Sequence, residues 1–155
     1  MIISRIFVEK KNKMFRKSST DKQLGMFSNI SGMLNGTARK QFDDTESWHN
    51  LFRKDVFSQV DESIFSVLYE DRMGAPNSSI RTLVSMMVLK EGYGWSDSQL
   101  FEQCHFNLLV RGAIGMINID DKVPVESTYY LFRKKVHEYS KENDVDLIDK
   151  TFQAI

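Results

Sequence analysis

Apolar residues recur at helical spacing from Thr45 almost to the last residue of the chain. The clearest run follows Ser79, where positions i, i+3, i+4, i+7 and i+8 are all apolar, as expected of a helix with one face in a core. These positions are Ile80, Leu83, Val84, Met87 and Val88. Because no segment shows the two-residue alternation of a half-buried strand, the sequence predicts an all-α fold.

Two predicted helices precede this run. The first covers residues 48–56, with Asp44 or Thr45 as its cap, and the second extends from about Asp61 to Tyr69.

A fourth helix follows the run after a short turn. Gly92-Tyr93-Gly94 ends the third helix, and Ser96 caps the fourth. The residues that this fourth helix is predicted to bury are Leu100, Phe101, Cys104 and Leu108. Together the third and fourth helices predict a helix-turn-helix-like core of a compact domain, followed by a loop from about Met116.

A predicted helix over residues 127–141 has two contrasting sides. Its apolar side holds Tyr129, Phe132, Val136 and Tyr139, and the opposite row holds Ser127, Tyr130, Lys134, His137 and Lys141. That row contains hydroxyls and cations and no carboxylate. It suits a DNA groove, where cations meet phosphates and polar tips meet base edges. The alternative is an ordinary solvated face, since most charge runs are solvated.

Charge divides the chain although its formal net charge is zero. Residues 1–40 contain nine Lys and Arg against two acids, so they carry +7 and the remainder carries −7. Residues 1–42 show no sustained apolar period, whether Met1 or Met14 is the true start. We therefore expect an irregular basic arm over residues 1–42, followed by a helical DNA-binding-type domain over residues 43–141.

Residues 142–155 begin another apolar stripe, formed by Val145, Ile148, Phe152 and Ile155. No Gly or Pro ends this stripe. We expect the start of a connecting helix that needs a partner surface, so that the chain is the front section of a longer protein.

Composition narrows the class of protein. With 155 residues, 41% of them hydrophobic, the chain forms one ordinary domain with an adequate core. The single Cys104 forbids an internal disulfide, which fits a reducing cytoplasm. Residues 1–8 are too short and too interrupted by Arg5 for a signal peptide or a membrane helix, so we expect a cytoplasmic protein without a membrane partner.

Side chains that carry enzyme chemistry are scattered. The candidate metal ligands are His49, Cys104, His105 and His137. Neighbours on a helix point about 100° apart, so Cys104 and His105 favour a core cysteine and a surface histidine over a metal site or a nucleophile pair. No glycine-rich phosphate-binding motif is present, and no sheet-held carboxylate cluster is visible. We expect no metal site, no small-molecule substrate and no catalysis by this chain alone.

Four ordered segments resemble the N-terminal module of bacterial insertion-sequence transposases of the InsH type, which precedes an RNase H-like DDE catalytic domain. The segments are DESIFSVLY from Asp61, the Gly74-Ala75-Pro76 turn with the helix after it, WSDSQL with its run to a glycine, and VPVESTYYLFRKKV from Val123. In the last segment the matching residues are Pro124, Ser127, Thr128, Phe132 and Arg133. The resemblance covers roughly residues 43–140.

This resemblance implies binding of double-stranded DNA at the ends of an insertion element during transposition, in a bacterial cytoplasm and at the nucleoid. It implies no catalytic residue in this chain, because the catalytic carboxylates and their divalent metal, Mg²⁺, belong to a later domain of the family. The expected DNA-binding residues are Ser127, Thr128, Tyr130, Arg133, Lys134, His137 and Lys141.

Two roles stay open for several of these residues. Arg133 either contacts phosphate or pairs with an acid of a neighbouring helix, and Ser127 and Thr128 either cap their helix or touch DNA. The rival hypothesis for the whole chain is a protein–protein interaction module or a homodimer with little direct DNA contact.

Overall fold

The computed structural model describes residues 28–69 and 78–153, and the all-α prediction is confirmed for them. These residues form eight α-helices in chain order: α1 Ile30–Met33, α2 Gly36–Asp43, α3 Trp48–Asp55, α4 Ile80–Tyr93, α5 Asp97–Phe106, α6 Leu108–Ala113, α7 Glu126–Asn143 and α8 Leu147–Gln153. Two 3-10 helices, Phe57–Gln59 and Glu62–Leu68, lie between α3 and α4 in the chain. The described residues contain no strand, only an isolated antiparallel bridge between Asn29 and Asn118. The predicted turn at Gly74-Ala75-Pro76 lies outside these residues.

Helix α4 lies in the centre of the core. Its residues with no exposed surface are Leu83, Val84, Ser85 and Met86. Met87 and Val88, which the helical period assigns to the core, are only partly buried. Ser85 and Met86, outside the predicted stripe, are buried because α5 and both 3-10 helices contact α4. A helix covered from several directions buries more than the single stripe that periodicity detects.

The turn between α4 and α5 follows the predicted chemistry. Gly94 ends α4 with a φ of 65°, a left-handed conformation that glycine adopts without steric cost. Ser96 then starts α5 with a capping box, which confirms its predicted role. In this box the backbone N–H of Gln99 donates to Ser96 Oγ at 3.2 Å, and the N–H of Ser96 donates to Gln99 Oε1 at 2.9 Å.

The predicted fourth helix is two helices. Asn107 interrupts it, because its Oδ1 accepts from the backbone N–H groups of Leu109 and Val110 at 3.0 and 3.3 Å and so caps α6. Leu108 therefore begins α6 and is half-buried, which corrects its predicted place in the core of the fourth helix. The helix ends at Ala113, slightly before the loop predicted from Met116.

The two early helices also differ from their predicted form. Ser47 is the N-cap residue of α3, so the prediction of Asp44 or Thr45 as its cap is wrong. The segment from Asp61 to Tyr69 is helical, but as a 3-10 helix whose N-cap Asp61 accepts from the N–H of Ser63 at 2.9 Å.

Residues 28–42, expected to be irregular, are largely helical and fold against the domain. The N–H of Ile30 donates to the carbonyl of Ile117 at 2.9 Å, the N–H of Ile119 donates to the carbonyl of Ser28 at 2.7 Å, and Ile30 is 1% exposed. Helices α1 and α2 follow directly. The expectation of an irregular arm is therefore wrong for these residues, and residues 1–27 lie outside those described.

The buried Arg111 holds the loop to which Ile30 binds. Its Nη2 donates to the carbonyls of Asn118, Ile119 and Asp121 at 3.2, 3.2 and 2.8 Å. Because this loop has no regular secondary structure, one guanidinium supplies the hydrogen bonds that these three carbonyls would otherwise find in a helix or strand.

Helix α8 packs back onto the domain. Leu147 and Thr151 are 2% and 1% exposed, and Ile148 and Phe152 pack against the core. It contacts the 3-10 helix Glu62–Leu68. Ile148 and Phe152 of the predicted stripe thus already have a partner surface within the domain, whereas Val145 is 37% exposed. Ile155 lies outside the described residues, and the expected connecting role of this segment stays a prediction.

Gly115 provides a test of this packing. Its φ is 81°, and a Cβ added to it would lie 2.3 Å from Cζ of Phe57. Strain and overpacking together should make Gly115→Ala lose about 2–4 kcal/mol of unfolding free energy, measured by urea denaturation. The control is Gly92→Ala in α4, where a Cβ meets nothing within 4 Å. There we expect a gain of about 0.5–1 kcal/mol. A Gly115→Ala variant as stable as the wild type would contradict the described packing.

Candidate functional site on helix α7

Helix α7 presents one buried and one exposed side, as its sequence pattern predicts. Tyr129, Phe132 and Val136 are 0%, 1% and 5% exposed. The ring of Phe132 lies 5.7 Å from that of Phe65, and the ring of Tyr129 lies 5.6 Å from that of Phe101 in an edge-on arrangement. These aromatic contacts anchor α7 to the core.

The opposite row is exposed over the length of the helix. Its five members are Ser127, Tyr130, Lys134, His137 and Lys141, and the structure brings all of them onto this side. Arg133 and Thr128, the other two predicted DNA-binding residues, are half-buried. Arg133 lies about 60° from Tyr130, whereas Thr128 lies about 100° from Ser127 and so outside the row.

The expectation that this face carries no carboxylate is wrong. Glu138 follows Lys134 by one helical turn, and its Oε1 lies 3.7 Å from Lys134 Nζ. Both side chains are more than half exposed, so the pair is weak and exchanges readily with other partners. The positive potential of the row is nevertheless smaller than its lysines alone would produce.

Helix α7 begins without a side-chain cap. Val125 is its N-cap residue, and Ser127 and Thr128 lie inside the first turn, so the prediction that either of them caps the helix is wrong. Glu126 places a carboxylate in that turn. A carboxylate there satisfies the positive end of the helix dipole and repels phosphate from it.

Arg133 pairs with an acid of a neighbouring helix, one of its two predicted roles. Its Nη1 and Nη2 lie 3.0 and 3.4 Å from the two carboxylate oxygens of Asp97, the first residue of α5. Its guanidinium also lies 5.5 and 5.3 Å from the ring centroids of Tyr129 and Tyr130. The hydrogen bond to Asp97 raises the pKa of Arg133, and burial raises the pKa of Tyr129 to about 12.

The predicted set of site residues does not include two residues of α7 that border or support the exposed row. Leu131 is 52% exposed, next to the polar row. Counting 100° per residue places it only about 40° from Ser127, so the helical period contains the signal. Lys135 lies with its Nζ 4.3 Å from the centroid of the Tyr69 ring, and burial lowers the pKa of this lysine. That contact joins segments far apart in sequence, and no local pattern indicates it.

The scattered ligand-type residues remain scattered in space. Cys104 is fully buried and its neighbour His105 is exposed, as predicted for a core cysteine and a surface histidine. His49 is buried, with Nε2 2.8 Å from the carbonyl oxygen of Phe42. Within residues 28–69 and 78–153, no three His, Cys, Asp or Glu side chains converge as metal ligands would.

A comparison with protein families gives a match over more than half of the chain. Residues 40–135, more than half of the chain, match a family of transposase domains. The chain belongs to this family, described as Transposase domain (DUF772), and this ties it to transposition. The matched range runs from the end of α2 into the middle of α7. Comparisons with curated proteins and with solved structures gave no match. In the described part of the chain, no helix has the length and hydropathy needed to span a bilayer.

Burial of Cys104 leads to a test by thiol chemistry. Desolvation raises the pKa of its thiol to about 12, so the reactive thiolate is scarce at pH 8. We expect the native protein to react with an aromatic disulfide reagent at least about a hundredfold more slowly than the protein in guanidinium chloride. Cys104 is the single cysteine, so the colour released reports on it alone. Fast reaction of the native protein would mean that α5 opens locally.

Proposed function

We propose that this chain binds double-stranded DNA at the ends of a bacterial insertion element, as the non-catalytic N-terminal module of a transposase of the InsH type. In this proposal α7 faces the DNA. The observation that carries it is the exposed row of hydroxyl, imidazole and ammonium groups on a helix whose opposite side is anchored in the core of a transposase domain. A rigid helix with polar tips is the element that most often enters a major groove.

The distribution of charge along α7 indicates which half would contact phosphates and which half would contact bases. Lys134 and Lys141 lie in the C-terminal part of the row, where they suit phosphate contacts. Ser127 and Tyr130 lie nearer the N-terminus, where their hydroxyls suit base edges. Because Glu126 and Glu138 lie nearby, we expect few phosphate contacts and therefore modest affinity with a shallow salt dependence.

Other parts of the proposed assembly supply what this domain lacks. The cations of residues 1–27 would add sequence-independent phosphate contacts, in keeping with the excess of positive charge at that end of the chain. Strand cleavage and the Mg²⁺ that supports it belong, in this proposal, to the catalytic domain of the full transposase, working in the bacterial cytoplasm. The α4–α5 pair would act as the helix-turn-helix-like base on which α7 rests.

Paired lysine substitutions test this proposal. The ligand is the duplex that the wild-type protein enriches from a random library, and the measurement is fluorescence anisotropy from 50 to 300 mM salt. Lys134→Ala combined with Lys141→Ala should weaken binding to any duplex and reduce the salt slope by about 1.8, since each phosphate contact contributes about 0.9.

The control for that experiment is Lys54→Ala, which removes an exposed lysine from α3. We expect it to leave the affinity and the salt slope close to those of the wild type. Equal binding by the wild type and the double variant would remove α7 from the DNA-facing surface.

A second candidate function is contact with another protein, and one observation favours it. Phe106, the last residue of α5, is 82% exposed. It borders an open groove of about 500 Å³ that α2 lines on one side and α5 and α6 line on the other. A large exposed ring beside a groove is the arrangement that a self-complementary dimer contact uses.

The dimer alternative is tested by light scattering of the wild type across a concentration series. If a dimer forms through this groove, Phe106→Ser should shift the protein to monomer and leave DNA binding unchanged. Val67→Ser is the control, because Val67 is 47% exposed and does not line the groove. A monomeric wild type at all concentrations would exclude this alternative.

A further inference from the structure

Arg133 binds Asp97 in a way that restricts how α7 can rotate. From the contacts of this side chain we infer that Arg133 and Asp97 form a positioning pair, which sets the direction in which the exposed row of α7 points, and that Arg133 is not itself a phosphate contact. The inference rests on the proposed function, because its consequence is measured in DNA binding.

The geometry of the pair is directional. A guanidinium that bonds both oxygens of one carboxylate must lie nearly in its plane, and here the two distances are 3.0 and 3.4 Å. The flanking rings of Tyr129 and Tyr130 restrict the guanidinium further. The buried apolar contacts, such as those of Phe132, decide which side of α7 faces the core, and the directional bond of Arg133 further restricts rotation about that position.

Arg133 lies at a position where its bond to Asp97 affects the rotation of α7. It lies about 60° around the helix from Tyr130, between the buried side and the exposed row. A directional bond at this border resists rotation of the row toward or away from the DNA. Asp97 is itself held at the N-terminus of α5, where the helix dipole favours its charge.

The contacts of Arg133 argue against a phosphate on it. Both of its terminal nitrogens already donate to Asp97, so a phosphate would have to compete with that carboxylate for them. Lys90 Nζ of α4 lies 3.7 Å from the same Asp97 oxygen that Arg133 binds, so the three side chains connect three helices. The charge of Arg133 is thus already used inside the protein.

The test uses the full 155-residue chain with the variants Arg133→Lys, Arg133→Gln, Asp97→Asn and the double variant Arg133→Gln with Asp97→Asn. Arg133→Lys keeps the charge and loses the two-pronged geometry, so it separates the two roles. If Arg133 is a positioning residue, the affinity of Arg133→Lys for the enriched duplex should fall about fivefold, as much as that of Arg133→Gln. A phosphate contact predicts that Lys retains most of the affinity.

The dependence of affinity on salt separates a positioning role of Arg133 from a phosphate contact. If the pair positions α7, Arg133→Gln leaves the slope unchanged and reduces the preference for the enriched duplex over a scrambled one. If Arg133 contacts phosphate, the slope falls by about 0.9 for any duplex. Asp97→Asn should weaken binding like Arg133→Gln, and the double variant should be no weaker than either single variant.

Glu91→Gln is the matched control. Glu91 is 83% exposed and its Oε1 lies 3.9 Å from Lys90 Nζ, so this variant removes one negative charge beside the same lysine without touching Arg133. It should bind the enriched duplex at least as well as the wild type. Thermal unfolding of every variant verifies that the binding temperature lies well below each transition.

Amide hydrogen exchange without DNA separates this inference from the proposed function. Loss of the pair should speed exchange in α7 in the Arg133 and Asp97 variants and not in Glu91→Gln. A wild type that binds no duplex would refute the proposed function. Unchanged hydrogen exchange in α7 of the Arg133 and Asp97 variants would refute the positioning pair. Rescue by Arg133→Lys, or a reduced slope in Arg133→Gln, would also overturn the inference.

Discussion

Helix α4 is covered by other elements around most of its circumference, and the rest of the domain is arranged by that burial. The two 3-10 helices and α5 contact it directly. Its Thr82 Oγ1 donates to the carbonyl of Ile114 at 3.2 Å, which ties α4 to the residue after α6. The buried hydroxyl of Thr82 thus has a partner, and the bond fixes the chain after α6 relative to α4.

Helix α7 depends on this core through two kinds of contact that do different work. The aromatic side, formed by Tyr129 and Phe132, supplies most of the attachment, since burial of large rings contributes the largest apolar area. The bond between Arg133 and Asp97 contributes less energy because both groups are partly exposed, but it is directional. The Arg133–Asp97 bond thus adds a directional restraint to an orientation that the buried aromatic side already sets.

The charge on the exposed face sets the scale of any binding to DNA. The row holds two lysines, while Glu138 pairs with one of them and Glu126 lies at the N-terminus of the helix. A surface of this kind does not produce the steep electrostatic attraction of strongly basic DNA-binding domains. Direction and shape of the face therefore matter more to the proposed function than its net charge.

Much of the local structure was predictable because its causes lie within a few residues. The capping box of Ser96, the left-handed Gly94 and the two sides of α7 all follow from side chains that interact along one helix or turn. The interruption at Asn107 is also local, since its side chain caps α6, but the apolar period continued through it and concealed it.

The sequence by itself determined the helical class, the main helix boundaries and which side of α7 is apolar, because hydrophobic spacing and caps act over one or two turns. Only the tertiary structure decided that Ser28 and Ile30 bond to the loop held by Arg111, that α8 packs on the 3-10 helix Glu62–Leu68, and that Arg133 binds Asp97. The physical reason is common to all three. Each of these contacts joins segments separated by tens of residues, and contact partners at that distance leave no periodic pattern along the chain.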